Sequence, residues 1–101
     1  MPKKKKPSVL WTNQALRNAS NIKAYLEENF SVKETNYFFS LLSTFESAVT
    51  LFPKLYSQTN KKAKIRRAVL SREVSAFYRI IDNRIEVLAI LDNRCDISKW
   101  L

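Results

Sequence analysis

Residues 74–91, VSAFYRIIDNRIEVLAIL, leave this chain little choice of local structure. Two runs rich in β-branched and aromatic residues flank Asp82-Asn83, residue types that tolerate the positive φ angles of a two-residue hairpin turn. With that pair at the turn centre, the register is fixed. Ile81 faces Arg84, Ile80 faces Ile85, Arg79 faces Glu86, Tyr78 faces Val87, Phe77 faces Leu88 and Ala76 faces Ala89. Alternation then collects Val74, Ala76, Tyr78, Ile80, Ile85, Val87, Ala89 and Leu91 on one apolar face. The opposite face carries Ser75, Phe77, Arg79, Ile81, Arg84, Glu86, Leu88 and Ile90. The Arg79–Glu86 pair is specific to this register and contributes roughly 0.2–1 kcal/mol. A slip of one residue would turn the whole apolar set outward.

The rest of the chain supplies what a hairpin needs to bury its face. Val9-Leu10-Trp11 reads as a brief first strand, and Thr12 or Asn13 caps the helix that follows. Ala15/Leu16, Ala19, Ile22 and Tyr25/Leu26 recur at helical spacing until Asn29-Phe30. Ser31-Val-Lys-Glu34 is a capping-box sequence. Behind it Phe38, Leu41/Leu42, Phe45, Ala48/Val49 and Phe52 form a second stripe, ended by Pro53. Residues 53–64 are polar, and residues 65–71, IRRAVLS, return to β-type composition. The expected class is α+β. It has two layers, a helical hairpin on a mainly antiparallel four-stranded sheet in the order β-α-α-β-β-β.

Residues 1–8, MPKKKKPS, are expected to be a disordered basic tail, and residues 9–101 a single domain. A hydrophobic content of 46% excludes disorder for the remainder. No apolar stretch long enough for a secretory signal follows the lysines, and no transmembrane span is visible. One cysteine, Cys95, precludes an internal disulfide and points to a reducing compartment, hence a cytoplasmic location. Without histidine the usual near-neutral acid/base group is missing and zinc sites are disfavoured; without glycine there is no phosphate cradle. Neither a metal nor a cofactor is expected.

The net charge of +9 is concentrated in Lys3–Lys6 and in residues 54–72, which hold seven basic residues and no acidic one. Such a patch fits a polyanionic partner: nucleic acid, an acidic protein surface or a membrane face. The target-facing candidates are Lys61, Lys62, Lys64, Arg66, Arg67, Arg79 and Arg84. The uncertain loop length leaves open whether Arg66 or Arg67 shares the outward face, and either can simply guard a sheet edge with charge.

Three pieces together resemble toxins of the RelE/ParE superfamily, the toxin half of type II toxin–antitoxin pairs. They are an early VLWT strand entering a helix, IRRAVLSREVSAFYRI on the following strands, and IEVLAILDNRCD closing the sheet. The resemblance implies a growth inhibitor neutralised by a cognate antitoxin. Its target is either DNA gyrase or mRNA in the ribosomal decoding site. An acidic antitoxin segment is expected to anchor on Phe77, Leu88 and Ile90, with charge speeding encounter.

For ribosome-dependent cleavage the resemblance assigns catalytic positions to Arg66 and Arg94. However, Ala68 stands where a second strand lysine is expected, Ser75 where a strand arginine is expected, and Trp100 where a tyrosine is expected. Indole does not exchange protons usefully. The reading therefore favours a ParE-like, non-nucleolytic mode. The alternatives are a RelE-like mRNA endonuclease and an inactive or solitary nucleic-acid-binding module; Phe77 is the only aromatic on the outward hairpin face to serve the last.

Overall fold

The computed structural model describes residues 6–93, so residues 1–5 of the expected basic tail and Arg94, Cys95 and Trp100 lie outside the described residues, while Ser8, assigned to that tail, is the first residue of a strand. Seven elements follow one another: β1 Ser8–Trp11, α1 Asn13–Asn29, α2 Val32–Leu51, β2 Gln58–Asn60, β3 Ile65–Val69, β4 Val74–Ile81 and β5 Arg84–Asp92. The strands form one sheet in the order β1-β5-β4-β3-β2. β1 runs parallel to β5, and the remaining pairings are antiparallel. The class is α+β in two layers, as the sequence implies, but with five strands rather than four. The additional strand, β2, is three residues within the polar connection and meets β3 through a register shift. So short and polar a strand has no apolar alternation by which to be read.

The β4–β5 hairpin turns at Asp82, which takes φ 54°. From the turn to Tyr78–Val87 the pairing is the one expected. Beyond it the expectation is corrected: Phe77 pairs with Ala89 and Ala76 with Ile90, so Leu88 is a β-bulge. The bulge reverses alternation in the second half of β5. Ile90 joins the helix-side core, whereas Ala89 and Leu91 join Phe77 and Ile65 on the other face.

The end of β1 explains the bulge. Trp11 is the last β1 residue paired with β5, opposite Val87, after which the chain leaves the sheet as α1. The exposed backbone of β5 is then met by side chains of that helix. Thr12 Oγ1 donates to the Leu88 carbonyl at 3.1 Å, and Asn18 Oδ1 accepts the Ile90 N–H at 3.1 Å. The same Thr12 hydroxyl accepts the Ala15 N–H and so caps α1. One residue thus starts a helix and closes a bulge.

Both helices cover one face of the sheet. Their contributions are Ala15, Ala19, Ile22 and Leu26 from α1 and Phe38, Leu42, Phe45 and Val49 from α2, packed on Ala76, Tyr78, Ile85 and Val87. Leu16 and Phe52, expected in these stripes, are instead 52% and 63% exposed. Leu16 stands one step round α1 from the buried Ala15, and Phe52 is already the C-cap of α2, with backbone no longer helical. At the start of α2 the Ser31 N–H donates to the Glu34 carboxylate at 3.0 Å, the return limb of the capping box. The Ser31 hydroxyl donates to the same carboxylate and, as the largest influence, holds its pKa below the ordinary value.

One buried side-chain polar atom among the described residues has no partner: the Thr35 hydroxyl in α2. An unpaired buried hydroxyl costs about 1–3 kcal/mol. Thr35→Val keeps the shape and removes the hydroxyl, so we expect stabilisation of about 1 kcal/mol. In a domain of this size that is a rise of roughly 4–8 °C in a thermal melt.

Candidate functional site

The face turned away from the helices reads as rows across the sheet. Leu91, Ser75 and Val69 form one row, Ala89, Phe77 and Arg67 the next, and Leu10, Glu86 and Arg79 a third. The register settles which arginine belongs here. Arg67 pairs with Phe77 and shares this face, while Arg66 pairs with Tyr78 and points to the helix side.

Arg67 is held on three sides. Its Nε donates to Ser75 Oγ at 3.1 Å and its Nη2 to Asn93 Oδ1 at 3.1 Å, and its guanidinium carbon lies 5.8 Å from the centre of the Phe77 ring. The Ser75 hydroxyl also donates to Asn93 Oδ1. Asn93 Nδ2 in turn donates to the carbonyls of Ser71 at 3.0 Å and Arg72 at 2.8 Å, tying the β3–β4 connection to the end of β5. Ser75 therefore occupies the expected arginine position with a consequence of its own: its buried hydroxyl fixes the guanidinium of the neighbouring strand. Sequence reasoning gave no part to Asn93. Its partners lie 18 to 26 residues away, so no local pattern marks it.

Arg66 has a different task. Its Nη1 donates to the Tyr56 carbonyl at 2.6 Å. Tyr78, fully buried, donates its hydroxyl to the Pro53 carbonyl at 2.7 Å and packs edge-on against Phe45 and Tyr56. Burial pushes the Tyr78 phenol above its ordinary pKa of 10.0. The folded state therefore keeps this proton longer than the unfolded chain. The contribution is complete below that value and declines as pH rises towards the raised folded value. Tyr78→Phe should lose this alkaline dependence in pH-stepped denaturant melts and, near neutrality, be less stable by about 1 kcal/mol for the missing hydrogen bond.

The remaining candidate cations gather elsewhere. Lys61, Lys62 and Lys64 are exposed on the β2–β3 turn, where Asn60 Oδ1 accepts the Ala63 N–H at 3.0 Å and Lys64 adopts φ 58°. By register this turn lies at the same end of the sheet as the β4–β5 turn. Arg79 and Arg84 stand at that end, and Glu86 serves both. It accepts from Arg79 at 2.8 Å and lies 4.0 Å from Arg84. The structure therefore separates the expected set. Lys61, Lys62, Lys64, Arg79 and Arg84 share one end, Arg67 is fixed towards the other, and Arg66 is on the opposite face.

The expected apolar anchors are also corrected in placement. Ile90 is in the helix-side core at 1% exposure and Phe77 is 3% exposed, leaving Leu88 half-buried at the bulge. Among the described residues no cluster of three or more His, Cys, Asp or Glu side chains is placed to hold a metal, and no helix is long and apolar enough to cross a membrane.

The fold as a whole has counterparts among solved structures. A chain of the chromosomal ParDE TA system from P. aeruginosa matches with a TM-score of 0.73 at 16% identity, over 86% of this chain and 96% of that one. The solution structure of the conserved hypothetical protein HP0894 from Helicobacter pylori matches with a TM-score of 0.47 at 10% identity, over 86% and 94%. No family model and no curated protein matches the sequence. At these identities the likeness is one of fold.

Proposed function

We propose that this protein is the toxin half of a type II toxin–antitoxin pair, a cytoplasmic growth inhibitor silenced by an acidic antitoxin and acting without cleaving RNA, in the gyrase-directed manner. The observation that carries the toxin reading is the fold held in common with the ParDE chain over nearly its whole length.

The non-nucleolytic mode is supported by the disposition of the charges. RNA cleavage needs cations converging on one phosphate and a positioned group to move a proton. Here Arg67 is engaged by Ser75 and Asn93, Arg79 by Glu86, and Arg66 by the Tyr56 carbonyl. Of the outward-facing side chains in the sheet rows, Glu86 is the carboxylate, and it is already paired with arginine. An inhibitor that works by binding needs no such convergence.

The test places the purified protein in two reactions, DNA supercoiling by gyrase and ribosome-primed mRNA cleavage. Supercoiling is expected to be inhibited with mRNA left intact. Cleavage by the wild type that Arg66→Ala and Arg94→Ala each abolish would replace this reading with a RelE-like endonuclease.

A further inference from the structure

Three large apolar side chains left in solvent lie together beside the β4–β5 turn. Leu51, Phe52 and Leu55 are 61%, 63% and 56% exposed and, with Lys54, Ile80 and Asp82, line a cleft of about 570 Å³. Single exposed apolar residues are ordinary, but three in one cleft mark a surface that meets something.

The backbone carrying them is not free to fold inward. The buried Tyr78 hydroxyl holds the Pro53 carbonyl at 2.7 Å and the Arg66 guanidinium holds the Tyr56 carbonyl at 2.6 Å. The Phe52 N–H donates to the Ala48 carbonyl and the Leu55 N–H to the Phe52 carbonyl, completing the corner. Arg66 thus has a role that its charge alone does not reveal: it helps hold an apolar display in a fixed shape. A preorganised surface loses little conformational entropy on binding, so its apolar area converts efficiently into affinity.

We propose that this corner docks an acidic protein segment through large apolar side chains, and that it is where the antitoxin takes hold. This rests on the toxin reading above. Charge selects the occupant. The cleft lies at the basic end of the sheet: the Ser8 N–H donates to the Asn83 carbonyl, Lys54 is in the cleft itself, and Lys6 lines the neighbouring hollow that also borders Leu51. Lys61, Lys62, Lys64 and Arg84 stand at that same end, against the carboxylates of Asp82 and Glu86. A second copy of a chain with net charge +9 would bring like charge to like, whereas an acidic segment is attracted.

The experiment titrates this protein with the purified product of its neighbouring gene. It compares wild type, Phe52→Ser/Leu55→Ser, and Val69→Ser, a control that removes an equally exposed apolar side chain from the other end of the sheet. The double variant should melt like wild type, bind about 100-fold more weakly and lose neutralisation in a growth assay. The control should bind as wild type. Added salt should slow association for both the wild type and the control. Equal affinity and neutralisation across all three proteins would overturn the docking site while leaving the toxin reading intact. A wild type that is never neutralised would overturn both. A wild-type dimer that the double variant dissociates would assign the corner to self-association instead.

Discussion

Val87→Asp is expected to leave no cooperative unfolding transition at ambient temperature. Val87 is fully buried on the helix side of β5, opposite Tyr78 and beside Trp11 of β1. A carboxylate there has no free strand arginine to pair with. Arg79, Arg84 and Arg67 belong to the other side of the sheet, and Arg66 is engaged at the Tyr56 carbonyl. Burying an unpaired charge costs several kcal/mol, comparable to the whole stability of a domain this small. Leu88→Asp, one residue along but half-buried at the bulge, should be far milder. Far-UV circular dichroism on heating distinguishes them, and a wild-type melt for Val87→Asp would contradict the β5 register.

Thr12→Val should be the most damaging single substitution of a polar side chain. It removes the N-cap of α1, typically about 1 kcal/mol, and also deprives the Leu88 carbonyl of its donor, a further cost of about 1–3 kcal/mol. We expect a loss of about 2–4 kcal/mol from the two together. Thr44→Val, at an exposed position of α2, should change stability by under about 0.5 kcal/mol. Denaturant titration of the pair measures the difference. Equal midpoints would show that the hydroxyl does not join α1 to the bulge.

The same threonine marks where sequence reading stops. Hairpin, helix stripes, capping box and two-layer class are all local patterns, and all are present. The bulge at Leu88 is not local. It exists because β1 ends at Trp11, and its backbone is satisfied by Thr12 and Asn18, 76 and 72 residues away. Alternation assumes an unbroken ladder, so it places Ala89, Ile90 and Leu91 on the wrong faces. With them went Ile90 as an anchor.

The candidate site was legible as residue types and much less as geometry. Lysines and arginines in residues 54–72 announce a basic surface, but only the β3–β4 register shows that Arg67 faces out and Arg66 faces in. Phe52 fell on the period of a buried stripe. Its exposure follows from the helix ending at Leu51, with the Pro53 and Tyr56 carbonyls then claimed by Tyr78 and Arg66. Those partners are 25 and 10 residues distant, beyond what spacing encodes.

The central claim is that this chain is a growth inhibitor held in check by a protein partner. Inducible expression in a bacterial host, with and without the neighbouring gene, tests it most directly when colony-forming units are counted after induction. Expression alone is predicted to arrest growth, and co-expression to restore it, with the two proteins recovered as one complex. Undiminished growth on expression of the chain alone, at protein levels matching those of the co-expressed culture, would contradict the account.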